Sequence, residues 1–210
     1  MDTFTKGQRI SSRPLTEPLL FFDSCALVKL FVNEDEPATA IARRLWTARK
    51  QIYSSIVSVG EVLSAFARKK REGSLSSRAY NNACKKFIGS LQKDPYADVW
   101  RAIETFQGKN SPVTSPVIKL LPLTDYFAPS RLSKMAKKYH FEFGDAWHLT
   151  ALLSGLSGLE IVPKKYRLLF VSSDEKFCKA VEKEKYEILD LRKGKSQVLK
   201  DIIQYSIKRC

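Results

Sequence analysis

Apolar residues follow two patterns along the chain, and together these predict strands that alternate with helices. Short unbroken apolar runs, such as 19–22 and 168–171, are typical of strands covered on both faces. Elsewhere apolar residues recur every three or four positions, which is typical of amphipathic helices. Strands are predicted over 19–22, 51–57, 117–123, 167–173 and 186–191. Helices between successive strands make the strands parallel, so the pattern predicts an α/β fold on a parallel sheet.

The predicted helices fill most of the chain between these strands. They begin after Asp23 and near Ser58, Gly144 and Asp174, and they also cover 40–48, 74–92, 130–139 and 198–207, with a shorter helix from Pro95. Gly73 is the expected stop of the helix that begins near Ser58. The chain of 210 residues, 44% of them apolar, is long enough for one core. We expect a polar arm over 1–18 followed by a single domain over 19–210.

The charge balance favours a polyanionic partner. The chain carries 36 Lys and Arg against 22 Asp and Glu, a net charge of +14 with a pI near 9.7. Such a balance points to nucleic acid before membrane, although basic surface also serves solubility. No segment has the apolar length of a membrane span, and residues 1–18 lack the apolar centre of a secretory signal. We expect a soluble cytoplasmic protein with four reduced cysteines that mostly serve as packing residues.

Three acids each follow a predicted strand and open a helix: Asp23, Glu61 and Asp174. Because the strands are predicted to be parallel, all three should lie at one edge of the sheet, where ligands of such folds bind. Asp145 lies in the first turn of a largely apolar helix that can point at the same edge.

Each acid also has a local structural explanation. Asp23 is a favoured N-cap, and Asp145 suits the positive end of a helix dipole. Ser58 stands three residues before Glu61, the spacing of a capping box, and Ser172 precedes Glu175 in the same way. His148, three residues after Asp145, is more typical of a hydrogen-bonded structural histidine than of a general base.

The four acids together predict a cation. Close carboxylates repel each other by about 4 kcal/mol per pair at an effective dielectric near 20, so they hold a proton or a metal ion. A site of carboxylate oxygens without cysteine or a well-placed histidine suits Mg²⁺ or Mn²⁺ rather than Zn²⁺.

Four segments resemble the motifs of PIN-domain ribonucleases, and among these the VapC-like toxins of toxin-antitoxin pairs. The segments are 22–31, Ser58 to Glu61, 144–149 and 171–174, in the family's order, and the resemblance spans 19 to about 191. It implies an α/β/α sandwich on a central parallel sheet. The chain is longer than a compact VapC-like toxin, chiefly in a helical insertion around 93–117 and at the C-terminal end.

The resemblance also implies a site and an activity. Asp23, Glu61, Asp145 and Asp174 match the acidic, metal-binding catalytic residues, with Ser24 and Ser172 as supporting residues. Glu142 is an additional acid near the third motif that would replace or supplement one of the four. The implied activity is Mg²⁺- or Mn²⁺-dependent hydrolysis of phosphodiester bonds in single-stranded or structured RNA, by a homodimer with a possible antitoxin partner.

Two other classes of function stay open on the sequence. In one, the acids are only caps and the protein is a nucleic-acid-binding module. In the other, the site is degenerate and the chain mainly binds a protein partner.

Overall fold

Five parallel strands form a sheet in the computed structural model, which describes residues 18–34, 36–48, 51–91, 117–121, 129–151 and 167–193. The strands are β1 (Pro18–Phe22), β2 (Gln51–Ser55), β3 (Val117–Leu121), β4 (Arg167–Ser172) and β5 (Glu187–Asp190). They are ordered β3-β2-β1-β4-β5, and every neighbouring pair is parallel. The predicted α/β fold on a central parallel sheet is confirmed.

The helices of the described ranges follow the predicted order. They are α1 (Ser24–Phe31), α2 (Pro37–Ala48), α3 (Val57–Arg71), α4 (Ser77–Ser90), α5 (Pro129–Tyr139), α6 (Phe143–Ala151) and α7 (Glu175–Lys183), and a 3-10 turn covers Leu191–Lys193. Gly73 has a φ of 76°, a left-handed conformation that favours glycine, and it follows α3 as predicted.

The second strand is shorter than predicted. It ends at Ser55, two residues before the expected end at Val57, because α3 already begins at Val57. The buried hydroxyl of Ser54 donates to the carbonyl of Phe22 at 2.7 Å and lies 2.5 Å from the hydroxyl of Ser58. These bonds tie the start of α3 to the end of β1.

The sheet separates two apolar clusters, one on each face. Along β1, Leu20 and Phe22 join the cluster under α1, α2, α3 and α4, whereas Phe21 joins the cluster under α5, α6 and α7. Along β4, Phe170 likewise faces the second cluster. Alternate residues of a strand point to opposite faces, so an unbroken apolar run fills both clusters. Helices therefore cover the sheet on both sides.

Some predictions concern other parts of the chain. Apart from Pro18 and Val117, the arm over 1–18 and the insertion over 93–117 lie outside the described residues, as does the helix over 198–207. Across the ranges that are described, no helix is long and apolar enough to cross a membrane. The apolar face of the predicted helix over 40–48 is the buried side of α2, where Ala42 and Leu45 are fully covered.

Candidate active site

The central feature of the candidate site is the place where the strand order reverses. The chain passes from β1 to β2 on one side and returns to β4 on the other, and in open parallel sheets ligands bind at such a reversal, beyond the strand ends. Phe22 pairs with Val171, and the backbone N–H of Asp23 donates to the carbonyl of Val171 at 3.2 Å. Asp23 is therefore held by the sheet itself.

The carboxylate of Asp23 is 5% exposed and accepts bonds from three donors. Its Oδ1 accepts from the backbone N–H of Ala26 at 2.8 Å, which makes Asp23 the N-cap of α1. Its Oδ2 accepts a close hydrogen bond from the hydroxyl of Ser172, and the thiol of Cys25 donates to Oδ1 at 3.0 Å. Burial raises the pKa of Asp23 in spite of these donors. Asp23 is therefore both the N-cap of α1 and a residue at the predicted edge of the sheet.

Asp174 lies across from Asp23 at the end of β4. It is the N-cap of α7, accepting from the backbone N–H of Phe177 at 2.7 Å, and its own N–H donates to the Ser172 hydroxyl at 2.9 Å. The predicted capping box between Ser172 and Glu175 is wrong, because Ser172 bonds Asp23 and Asp174 instead. Ser172 thus links the two aspartates that end β1 and β4.

The interpretation of Glu61 as a capping residue is also wrong. The N-cap of α3 is Ile56, without a side-chain bond, and Ser58 is buried against Ser54. Glu61 is the fifth residue of α3, so it lies in the second turn rather than opening the helix.

The carboxylate of Glu61 reaches across to α6. Its Oε2 lies 2.6 Å from Nε2 of His148, and the Ser24 hydroxyl bonds it from α1. A Cβ built on Gly144 would overlap Oε1 of Glu61 and lie 2.8 Å from its Cδ, so only glycine leaves room for this carboxylate. Burial raises the pKa of Glu61, but the hydrogen bond and charge of His148 and the bond from Ser24 outweigh burial and lower it.

His148 is 1% exposed, and both of its ring nitrogens have partners. Nδ1 lies 2.8 Å from the hydroxyl of Ser55 at the end of β2, and Nε2 faces Glu61. As predicted, His148 is a buried histidine with hydrogen-bond partners. No spacing rule predicts its partner, because Glu61 and His148 are 87 residues apart.

Asp145 lies in the first turn of α6, as predicted, and is half-buried. Burial and the negative charges of Asp174, Asp23 and Glu61 raise its pKa to about 6, against the opposing charge of His148. Because Coulomb interactions fall with distance, this influence indicates that all four predicted acids share one region.

Among the described residues, Lys and Arg pair with other acids of this edge. Asp190, at the end of β5 and 5% exposed, is paired with Arg192 at 2.7 Å, and Glu175 is paired with Lys179 and Arg192. Among the residues that the structure describes, no Lys or Arg forms an ion pair with Asp23, Asp145 or Asp174. Within the described ranges this negative charge therefore has no basic partner, although the chain as a whole carries a net charge of +14.

The donor chemistry of these acids fits a hard divalent cation. Asp23, Asp145 and Asp174 present carboxylate oxygens, the ligands that Mg²⁺ and Mn²⁺ prefer, whereas Glu61 is already engaged with His148. Within the described ranges, no three His, Cys, Asp or Glu side chains are arranged closely enough to enclose an ion. Glu142 is exposed, one residue before α6, and bonds none of the four acids.

Cys25 belongs to this site, although the cysteines of the chain are predicted mostly to be packing residues. Its thiol donates to Asp23 and accepts from the backbone N–H of Ser173 at 3.1 Å and from the Ser173 hydroxyl at 2.9 Å. Burial, reinforced by the charge of Asp23, raises the pKa of this thiol, so it remains a neutral donor to the carboxylate. In the sequence, only its position two residues after Asp23 points to this contact.

The fold and the site together define an α/β protein with an acidic cluster at the carboxyl edge of a parallel sheet, where the strand order reverses. No family model matches the chain, and no curated protein matches it. The resemblance to PIN-domain ribonucleases stays a prediction drawn from four motifs.

Proposed function

We propose that the protein is a metal-dependent endoribonuclease of the PIN-domain kind, which hydrolyses phosphodiester bonds with Mg²⁺ or Mn²⁺. The observation that carries this proposal is that no Lys or Arg of the described ranges pairs with Asp23, Asp145 or Asp174 at the reversal of the strand order, in a strongly basic chain. Carboxylates that repel each other gain most from a bound cation. A net positive charge attracts the phosphate backbone of RNA.

Each residue of the site has a distinct part in this proposal. Asp23, Asp145 and Asp174 would hold the cation, which when bound polarises phosphoryl oxygens and lowers the pKa of a water molecule. Ser172 and Cys25 fix the orientation of the Asp23 carboxylate.

Glu61 would act on a water molecule in the site. His148 and Ser24 hold its carboxylate in one orientation, and its lowered pKa keeps it ionised near neutral pH. An ionised, fixed carboxylate can accept a proton or hold a water molecule by hydrogen bonding.

The proposal extends to the biological setting implied by the motifs. A VapC-like toxin would work as a homodimer and be neutralised by an antitoxin protein, for which a small neighbouring open reading frame is the cheapest indication. The apolar face of α2 is not available for such a dimer, since Ala42 and Leu45 are buried within the protomer. Sedimentation at tens of micromolar tests the dimer, and a monomer at that concentration contradicts it.

Chelation tests the enzymatic proposal directly. The purified protein is incubated with single-stranded and hairpin RNA in Mn²⁺, in Mg²⁺ and in EDTA, and binding of Mn²⁺ is measured by calorimetry. We expect Mn²⁺ binding and cleavage that stops in EDTA and returns when the metal is restored. Cleavage that survives complete chelation contradicts the metal mechanism, and the absence of both metal binding and cleavage favours a degenerate, partner-binding protein.

A further inference from the structure

A run of four basic residues, 68–71, ends α3, the helix that carries Glu61. Cations at the end of a helix suit the negative end of its dipole, which explains the run as a whole. The dipole does not explain a direction, because successive residues of a helix are 100° apart and the four side chains leave the helix on different sides. Their positions around α3, measured from Glu61, show which of them lies on the side of the candidate site.

Arg68 lies on the same side of α3 as Glu61. Seven residues of helix bring it to within about 20° of Glu61 around the axis and about 10 Å further along it. On α3 itself, only the small side chains of Ser64 and Ala65 lie between them on this side. The side chain of Arg68 is 65% exposed. An exposed cation therefore follows Glu61 along one face of the helix.

This face of α3 begins at the acids of the candidate site. Ser24, the residue after Asp23, bonds the Glu61 carboxylate, and the charge of Glu61 helps to raise the pKa of Asp145. A strand that lies along this face therefore passes from the acids to Arg68.

The other basic residues of the run are turned elsewhere. Lys69 is half-buried and forms an ion pair with the loop before α2. Lys70 is half a turn from Glu61 around the axis, and its ammonium lies over the ring of Tyr80 at 4.9 Å from the centroid. Arg71 is about 80° from Glu61. Arg68 is the member of the run that is aligned with the site.

The ion pair that Arg68 makes within the protein is weak. Its Nε lies 4.0 Å from Oε1 of Glu72, and both side chains are more than half exposed. Exposed pairs of this kind contribute little, whereas a guanidinium binds phosphate through two parallel hydrogen bonds. Glu72 lies one turn beyond Arg68 on the same face, where its charge opposes a polyanion. The face thus offers one cation to a strand and then ends.

We infer that Arg68 binds a phosphate of the RNA about three nucleotides from the bond that is cut, at roughly 3.4 Å per phosphate of a stacked strand. This inference rests on the proposed function and adds a length requirement, since a strand too short to reach Arg68 lacks the contact. The contact is made equally before and during the reaction. It should therefore lower KM and leave kcat unchanged.

Lys70→Gln is the matched control for Arg68→Gln. Both changes remove one positive charge from the end of α3, but Lys70 lies on the opposite side of the helix. Arg68→Lys keeps the charge without the planar fork, and Glu72→Gln removes the opposing charge. All three side chains are exposed, so we expect thermal midpoints close to that of the wild type, and these are measured for each variant.

Cleavage with Mn²⁺ is recorded on single strands of roughly 4 to 16 nucleotides. For the longer strands we expect Arg68→Gln to raise KM by about tenfold with kcat unchanged, and for the shortest strands to change neither. Lys70→Gln should match the wild type at every length, and Arg68→Lys should lie between the two. Glu72→Gln should lower KM for the longer strands.

RNA affinity is measured in EDTA by fluorescence anisotropy at several salt concentrations, so that cleavage does not interfere. Each phosphate contact with a single strand adds about 0.7 to the slope of log K against log salt. We expect Arg68→Gln to reduce this slope by about that amount for the longer strands, and Lys70→Gln to leave it unchanged.

Three outcomes overturn the inference: equal effects of Arg68→Gln and Lys70→Gln, wild-type KM and salt slope in Arg68→Gln, or an effect of Arg68 that does not depend on strand length. Absence of RNA binding overturns both the inference and the proposed function. Metal-dependent cleavage that does not respond to Arg68 refutes the inference alone. A salt slope that depends on Arg68, without metal-dependent cleavage, refutes the nuclease proposal and leaves the phosphate contact standing.

Discussion

Nε2 of His148 lies 2.6 Å from Oε2 of Glu61 and so connects α6 to α3 across the candidate site. The imidazole is 1% exposed and is anchored at Nδ1 by Ser55, whereas the Glu61 side chain is 32% exposed. The histidine is therefore the fixed member of the pair, and the carboxylate is the member whose orientation it sets. The hydrogen bond that one ring nitrogen makes determines whether the other nitrogen carries the proton.

Removing the anchor of this histidine should impair cleavage more than stability. In Ser55→Ala the ring loses the partner of Nδ1, so Glu61 is less firmly oriented, and we expect cleavage to fall about tenfold with RNA affinity unchanged. Ser54→Ala is the control, because Ser54 is equally buried but bonds Phe22 and Ser58 rather than the histidine. Steady-state kinetics and thermal unfolding are compared for both variants. Equal losses of cleavage would show that the effect is not transmitted through His148.

We expect a methyl group at Gly144 to impair cleavage, an effect that a stability measurement does not detect. In Gly144→Ala the new Cβ displaces the Glu61 carboxylate from its position over α6, and we expect cleavage to fall by about 100-fold. Replacing glycine by alanine in a helix otherwise stabilises it by about 0.5–1 kcal/mol. Gly60→Ala, beside Glu61 in α3, has nothing within 4 Å of its Cβ and should gain that stability with full activity. Chemical denaturation and cleavage assays distinguish the two variants.

Asp23 and Asp190 are both 5% exposed at the same sheet edge, yet their asparagine variants should respond oppositely. Asp23→Asn keeps a good N-cap and removes a buried carboxylate whose pKa is raised, so the metal-free protein should hold or gain stability. Mn²⁺ affinity and cleavage should be lost.

Arg192 pairs with Asp190 and lowers the pKa of its carboxyl. Asp190→Asn breaks this pair, and we expect the free energy of unfolding to fall by about 1–2 kcal/mol with metal binding intact. Calorimetry with Mn²⁺ and thermal unfolding are measured on both proteins. Unchanged Mn²⁺ affinity in Asp23→Asn would falsify the assignment of Asp23 as a ligand.

The raised pKa of Asp145 predicts a pH dependence of the metal-free protein. Its pKa rises from 3.8 to about 6 on folding, so between these values the folded protein binds the proton more tightly than the unfolded chain. The contribution of Asp145 to stability therefore falls as the pH rises from about 4 to about 6. Relative to the wild type, the free energy of unfolding of Asp145→Asn should rise by about 1 kcal/mol over this window. This figure allows for solvent screening of a half-exposed group.

The measurement is urea unfolding of both proteins in EDTA at several pH values. Addition of Mn²⁺ above pH 6 should reverse the order, because bound cation stabilises only the protein that keeps the carboxylate. A difference that does not change with pH contradicts the shared-charge environment of Asp145.

The local pattern of the sequence predicted the sheet and the positions of Asp23, Asp145 and Asp174, because strands and first helical turns depend on neighbouring residues. At Glu61 only the alternative of a capping box with Ser58 is wrong, since the carboxylate bonds His148 instead. That contact joins elements far apart in the chain, and spacing rules cannot detect it. Cys25 is different, because it bonds a carboxylate only two residues away. A helical pattern does not show that its thiol turns toward Asp23.

The strand order also bears on how freely the length of this chain can change. Residues 92–116 join α4 to β3, the edge strand, which is separated from the β1–β4 junction by β2. An addition or deletion there is joined to the sheet at its edge strand, whereas Asp23 and Asp174 are set by two adjacent strands that pair residue for residue from Pro18 to Phe22. The fold can therefore accept new sequence at one edge and keep its acids in register, so variation in chain length and conservation of chemistry are separable in this architecture.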